Sequence, residues 1–311
     1  MKSLQPSSGL PDFNLPAIIA AMLMGLLKTM RPRQWPKNIF IFPALVFDRQ
    51  LSNPEALART VAGFVLLCLA SGVIYIFNDV ADLEADRNHP TKRNRPIAAG
   101  SLPVPAALAV GSVMGLFTLI CSFALKYEFG LIVLAYTLLN LAYSWRLKHV
   151  PIIDILIIAA GFVLRVRAGV DLITVERFSP WLYVCTSLLA LFIGFGKRRS
   201  EMVLLAEDAN RHRRVLDGYT ITFLDQLIVI VSATTIIAYS LYTFSAENLP
   251  DNHLMMLTIP FVMYCLFRYL YLIHVENLGG APEELVLTDR PLAASFILWA
   301  LAVAAILYLT P

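Results

Sequence analysis

Apolar runs separated by short polar segments make up most of the chain. They fall at 36–51, 57–78, 103–125, 128–145, 151–171, 179–198, 221–244, 253–273 and 291–310, nine stretches in all. Most come close to the roughly 20 residues that a spanning helix needs. Hydrocarbon offers no water to an open backbone, so each run is predicted as a helix whose peptide groups satisfy one another. The pattern predicts an all-α, polytopic membrane protein of about nine transmembrane helices, with a single membrane domain over 17–311. Residues 1–16 are polar and proline-rich and are expected to form a disordered tail. Leu15 to Leu27 has the length of a signal-peptide core, but Lys28, Arg31, Arg33 and Lys37 follow it, with no small-residue cleavage site. An interfacial helix leading into the first run is expected there.

The polar segments alternate in charge. Lys and Arg gather in 79–102, 146–150, 199–220 and 274–290, in the N-terminal segment and in the adjoining helix ends. The opposite segments hold only Arg49, Arg59, Lys126 and Arg177. By the positive-inside rule the basic side is cytoplasmic, which puts the N-terminus inside a plasma (inner) membrane and the C-terminus outside. Composition agrees: 58% hydrophobic residues and a mean hydropathy of +0.68 exclude an ordinary soluble domain. The net charge of +3 adds little, and no nucleic-acid partner is expected. Cys68, Cys121, Cys185 and Cys265 each stand alone in an apolar run, without metal-ligand or redox spacing, as small core residues do.

The chemistry concentrates where the run ending at Phe77 meets Asn78-Asp79-Val80-Ala81-Asp82-Leu83-Glu84-Ala85-Asp86. Carboxylates at the mouth of a membrane helix are costly unless a cation meets them. If the helix continues through the motif, Asp79, Asp82 and Asp86 share a face with Asn78 beside them. Three carboxylates and an amide oxygen are hard ligands that suit Mg²⁺ holding a substrate phosphate. Thr91-Lys92-Arg93-Asn94-Arg95-Pro96 follows, and its cations suit the same phosphate. The plain alternative is an acidic loop balanced by a basic one.

Three further groups lie on the same predicted side. Tyr143-Ser144-Trp145-Arg146-Leu147-Lys148 ends one run, and Asp154 stands about one turn inside the next. An intramembrane aspartate is a functional candidate by default; the alternative is a pair with Lys148 that orients the turn. Lys197, Arg198 and Glu201 are spaced to share a helix face, and Arg211, Arg213 and Arg214 beyond them read equally as a lipid-facing basic patch. Gly279-Gly280-Ala281-Pro282-Glu283-Glu284, with Asp289-Arg290, reads as part of the site or as a turn and helix cap. Arg165 and Arg167 lie inside the fifth run, where each needs a cavity, a carboxylate or an anionic ligand. Two residues apart, they cannot both lie on one face, and Arg165 is taken as the ligand-directed one.

Together these stretches resemble the UbiA superfamily of intramembrane prenyltransferases. The resemblance rests on Asn78-Asp79-x-x-Asp82-x-x-x-Asp86, the basic loop, Tyr143-Ser144 with Lys148 and Asp154, and nine runs. Within the superfamily the chain is most similar to the polyprenyl-phosphate phosphoribosyltransferase branch. Arg31-Pro32-Arg33-Gln34-Trp35-Pro36-Lys37-Asn38, His89-Pro90-Thr91-Lys92-Arg93, Arg95-Pro96-Ile97-Ala98-Ala99-Gly100, Gly196-Lys197-Arg198 and Gly279-Gly280-Ala281-Pro282-Glu283 carry that likeness. It covers nearly the whole chain after residue 28. The aromatic prenyltransferases of the superfamily have a second Asp-rich motif after the sixth span; here Lys197, Arg198 and Glu201 stand there instead.

The resemblance implies a UbiA-like bundle with a cytoplasm-facing active-site cavity. It also implies transfer of 5-phosphoribosyl from phosphoribosyl diphosphate to a polyprenyl phosphate. In that reading Asn78, Asp79, Asp82 and Asp86 hold Mg²⁺ on the leaving diphosphate, aided by Lys92 and Arg93. Lys37, Lys148 or Arg165 would hold the lipid phosphate, and Lys197, Arg198 and Tyr143 the sugar 5-phosphate. Asp154 and Glu201 are carried as further substrate-side residues. In that branch the product leads toward arabinose-containing envelope glycans, part of cell wall biosynthesis. A homo-oligomer is left open. The rival enzyme reading moves a prenyl group from its diphosphate to an aromatic acceptor. A lipid transporter is the rival from another class, but it expects charge distributed through the membrane.

Overall fold

The structure is a computed structural model that describes residues 15–175, 179–207, 216, 218–280 and 282–309. The start of the expected tail (1–14), Arg177, and the patch of Arg211, His212, Arg213 and Arg214 lie outside the described residues. Among the described residues every regular element is helical. The chain divides into two compact units, one formed by 1–35 with 71–117 and the other by 36–70 with 118–311.

The first unit contains α1 (Leu15–Thr29), the end of α3 (Pro54–Ala81), α4 (Leu83–Arg87) and most of α5 (Val104–Leu125). Gly111 and Gly115 lie one helical turn apart on α5 and let Ile76 and Val73 of α3 approach closely. A Cβ at either glycine would sit 3.2–3.3 Å from those side chains. Small residues at such spacing are how helices pack where lipid removes the hydrophobic drive between them. Gly72 likewise admits Met30, and Gly25 of α1 rests on Pro96 and Leu102.

The second unit holds α2 (Pro43–Phe47), the start of α3, α6 (Tyr127–Trp145), α7 (Ile153–Leu172), α8 (Trp181–Glu207), α9 (Ile221–Ser245), α10 (Ile259–His274), α11 (Pro282–Thr288) and α12 (Arg290–Leu309). Helix starts follow from local chemistry. The Asn53 side chain accepts the backbone N–H groups of Glu55 and Ala56 ahead of α3, Thr220 accepts Phe223 ahead of α9, and Asp289 accepts Leu292 ahead of α12. One core joins Ile41, Leu67, Phe129, Val133, Ala168 and Leu172. A second joins Ile155, Phe192, Phe195, Leu224, Ile228 and Leu272. One buried polar chain joins helices: Trp299 Nε1 donates to Tyr239 Oη at 2.8 Å, and that hydroxyl meets Thr258 Oγ1 at 2.6 Å.

Among the described residues six helices are long and apolar enough to cross a membrane: α3, α5, α6, α9, the α10 stretch Leu254–His274, and α12. Their outward residues are apolar, as Val113, Leu116, Phe117 and Ile120 on α5 show, which suits a lipid surface. α7 and α8 have the length, but α7 carries Asp154, Arg165, Arg167 and Asp171, and α8 ends in a charged run. The run at 36–51 is not one helix. It begins inside a 3₁₀ segment, Pro32–Ile41, and continues as the five-residue α2. Pro36 and Pro43 each lack the N–H an α-helix would use there, and Arg31 enters with φ of 52°. α1 lies where an interfacial helix is expected and exposes Ile19, Leu23, Met24 and Leu27 along one side.

The tightest approach in the second unit is at Gly169 of α7, where a Cβ would collide with the carbonyl oxygen of Ile41. Backbone cannot swing aside as a side chain can. Gly169→Ala is therefore expected to cost about 1–3 kcal/mol, the usual penalty of overpacking, read as a lowered unfolding temperature in detergent. Gly280→Ala, whose Cβ would meet nothing within 4 Å, is the neutral control. Equal unfolding temperatures for the two variants would refute the contact.

Candidate active site

In the first unit the acidic motif is built around arginine. α3 stops at Ala81 and α4 starts at Leu83, so the helix does not run unbroken through the motif; Asp82 sits at the interruption. The i to i+4 pattern still crosses it, because Asp82 N–H donates to Asn78 and Asp86 N–H to Asp82 at 2.9 and 2.8 Å. Asp79 and Asp86 are each only 2% exposed. A single nitrogen, Nη1 of Arg95, touches both: 2.6 Å from Asp86 Oδ2 and 3.2 Å from Asp79 Oδ1. Arg31 Nη2 reaches the same Asp79 oxygen at 2.5 Å, and its guanidinium lies 4.6 Å over the Tyr75 ring.

Asp82 is half-buried, and Lys92 and Arg93 are exposed on a short 3₁₀ turn. Asn78 Oδ1 is buried with no hydrogen-bond partner among the described residues. Among the described residues no three His, Cys, Asp or Glu side chains converge closely enough to hold a metal ion. The reason is visible: two of the three motif aspartates are turned onto Arg95. The donors are nevertheless the hard oxygens a divalent cation takes, and the orphaned amide oxygen is one acceptor too many for the protein alone.

In the second unit a separate network forms where α7 begins and α8 approaches its end. Asp154 is fully buried and accepts Arg198 Nε at 2.7 Å through one oxygen and the Tyr219 hydroxyl at 2.8 Å through the other. Arg198 Nη1 goes on to Glu201 at 2.6 Å. Asp154 thus pairs with Arg198 and Tyr219. Ile152 has φ of 68°, unusual for a β-branched residue, and its N–H is held by the Tyr219 hydroxyl. Burial pushes the Tyr219 phenol well above its ordinary value, so it keeps the proton it offers Asp154. Tyr143, Lys148 and Lys197 are half-buried, and Tyr143 lies close enough to Arg198 to act on its charge.

The two arginines of α7 separate as expected from their spacing. Arg167 pairs with Asp171 one turn on. Arg165, 9% exposed, has only neutral partners among the described residues: Nε donates to Asn38 Oδ1 at 2.8 Å and Nη2 to Tyr136 Oη at 2.7 Å, by the Tyr136 and Phe162 rings. Lys37, beside Asn38, is half-buried. Gly279 packs directly on Ser200 of α8, and Asp289 both takes Arg268 and caps α12. The side chain of Glu283 lies outside the described residues.

A profile of the UbiA prenyltransferase family matches residues 39–282. The chain belongs to the UbiA prenyltransferase family. It groups there with phosphoribosyltransferase enzymes. It is 31% identical to the decaprenyl-phosphate phosphoribosyltransferase of Mycolicibacterium smegmatis, over 98% of this chain and 96% of that one. It is 32% identical to the protein of that name from Mycobacterium tuberculosis, over 92% and 95% of the two chains. A UbiA homologue from Archaeoglobus fulgidus, solved bound to GPP and Mg²⁺, superposes with a TM-score of 0.68 at 20% identity, over 91% of this chain and 99% of that one. UbiA membership and the six apolar helices make this a multi-pass membrane protein.

The UbiA-type motif was legible from its spacing, but its partners were not. Arg31 and Arg95 stand in the stretches that carry the family likeness without any sign that they, rather than Lys92 and Arg93, reach the carboxylates. Asn38 stands in the first of those stretches without any sign that it meets Arg165, and Tyr136 carried no signal. A buried pair broken on one side costs about 3–5 kcal/mol, so Asp154→Ala is expected to destabilise strongly. Tyr219→Phe should cost about 1–3 kcal/mol, the price of two groups left short. The raised phenol also sets a sign: its contribution is whole below the unfolded value of about pH 10 and fades as pH rises past the folded one. Thermal unfolding in detergent at pH 7 and at alkaline pH checks both. A tyrosine variant as stable as the parent at pH 7 would remove Tyr219 from the network.

Proposed function

We propose that this UbiA-family enzyme transfers the 5-phosphoribosyl group of phosphoribosyl diphosphate to a polyprenyl phosphate of decaprenyl type, releasing diphosphate, with Mg²⁺ as cofactor. The observation that carries the reading is the end-to-end likeness to relatives named for that activity. The buried carboxylate cluster with its orphaned amide oxygen supports it. So does the absence of an Asp-x-x-x-Asp after the sixth run, which a second prenyl-diphosphate metal site would use.

The bond from ribose C1 to the diphosphate oxygen breaks and one from C1 to a lipid phosphate oxygen forms. Asn78, Asp79, Asp82 and Asp86 fit a divalent cation and are the residues that would hold it. That ion would offset the charge that builds on the leaving diphosphate. Lys92 and Arg93 add cationic groups for the same charge. The acceptor phosphate is already anionic, so no residue need act as general base, and placement beside C1 is the main task. Lys37, Lys148 and Arg165 are assigned to the lipid phosphate, and Lys197, Arg198 and Tyr143 to the sugar 5-phosphate. Asp154 and Glu201 act by holding Arg198 in place.

α7 and α8 are proposed to cross the membrane as well. A ten-residue 3₁₀ segment spans about 20 Å, so 32–47 with its short helix can complete nine crossings of one membrane domain over 17–311. The N-terminus and the acidic motif would then be cytoplasmic and the C-terminus outside, in the plasma membrane.

Purified protein in detergent, given radiolabelled phosphoribosyl diphosphate and a polyprenyl phosphate, is expected to yield labelled lipid with Mg²⁺. EDTA or Asp82→Ala should remove it. No labelled lipid at any chain length, with turnover of a prenyl diphosphate on an aromatic acceptor, would replace this reading with the prenyltransferase one.

A further inference from the structure

We propose that Arg95 is a built-in stand-in for the metal, so that it and a divalent cation compete for Asp79 and Asp86. The inference rests on the reading of Asn78, Asp79, Asp82 and Asp86 as metal ligands. Its own evidence lies in the first unit alone. One nitrogen of Arg95 sits between an oxygen of Asp86 and an oxygen of Asp79, at 2.6 and 3.2 Å. A point cation that joins two carboxylates would take that position, and a guanidinium and a divalent ion cannot share it. The carboxylates are 2% exposed, so without any cation they would be two uncompensated charges. Arg31 neutralises Asp79 from a second direction but makes no contact with Asp86. Arg95 is thus the group that covers Asp86, and Asp86 is the ligand a metal must win back.

The side chain is suited to leaving. Arg95 is 27% exposed and lies just past a short 3₁₀ turn rather than inside a helix, so it can swing out without moving packed backbone. Asn78 Oδ1, already buried and without a partner among the described residues, is not engaged by the arginine and stays ready as a further acceptor. The consequence is a site that folds in the absence of metal and gives a bare cation a weakened hold. A metal that arrives with diphosphate brings negative charge that can take the displaced guanidinium, so metal and diphosphate should bind cooperatively through this residue.

The test is Mn²⁺ binding to the purified full chain in detergent, followed by electron paramagnetic resonance, with and without inorganic pyrophosphate. Arg95→Gln should bind Mn²⁺ roughly five- to hundredfold more tightly than the parent without pyrophosphate, the usual range for two ligands coupled at one site. The gain that pyrophosphate gives the parent should shrink in the variant. Arg95→Lys, which keeps a charge but not the fork, should fall between them and guards against misfolding of the glutamine variant. Equal or weaker Mn²⁺ binding in folded Arg95→Gln, with binding lost in Asp82→Ala, would sink the competition and leave the metal site standing. Mn²⁺ binding that Asp82→Ala and Asp86→Asn leave untouched would sink the metal site, and the competition with it.

Discussion

A carboxylate leaving water for a helix bundle must meet a cation, and this constraint organises both compact units. The penalty for one unpaired buried charge is several kcal/mol, comparable with the whole net stability of a folded domain. Asp79 and Asp86 meet it through Arg31 and Arg95, and Asp154 through Arg198. In each case the arginine comes from a different element than the aspartate. Arg95 ties the loop after α4 back onto the end of α3; Arg198 ties α8 to the start of α7. The pairs therefore fix where loops return as well as how charge is balanced, while the apolar faces decide only that helices pack.

How far the sequence could be read follows from the range of each signal. Runs of apolar residues report on helices one at a time, so eight of the nine runs correspond to helices or helical stretches of spanning length. The exception, 36–51, contains prolines whose effect on backbone hydrogen bonding outweighs the hydropathy of the run. The acidic motif was legible because its spacing is local. Its partners were not, since Arg31 is 48 residues from Asp79 and Asn38 is 127 from Arg165. A pairing over such separations leaves no periodicity to detect. Lys92 and Arg93 looked equivalent to Arg95 in one dimension; the 3₁₀ turn exposes the first two and directs the third inward.

UbiA membership fixes a fold and an apolar environment, but the chemistry depends on which charges remain unspent. Arg198 has its charge met by Asp154 and Glu201, so its effect on an anion is reduced and its place in the fold is secured. The second Asp-rich motif of the aromatic prenyltransferases would make this region a cation receptor. Here a buried arginine, Arg198, stands where that motif would be. Tyr143 and Lys148 stand just before Asp154 in sequence, and Lys197 just before Arg198.

Arg165 carries the argument one step deeper. A guanidinium stays protonated at any pH the protein meets, and this one is held by an amide oxygen, a hydroxyl and two aromatic faces, with no carboxylate among the described residues. Those neutral contacts fix its position without cancelling its charge. Arg167, two residues on, shows the other solution, with Asp171 one turn away. A fold that could have supplied Arg165 with a counter-ion in the same way, and did not, keeps a full positive charge inside α7. Of the arginines in the described helices of this unit, it is the buried one held by neutral groups alone.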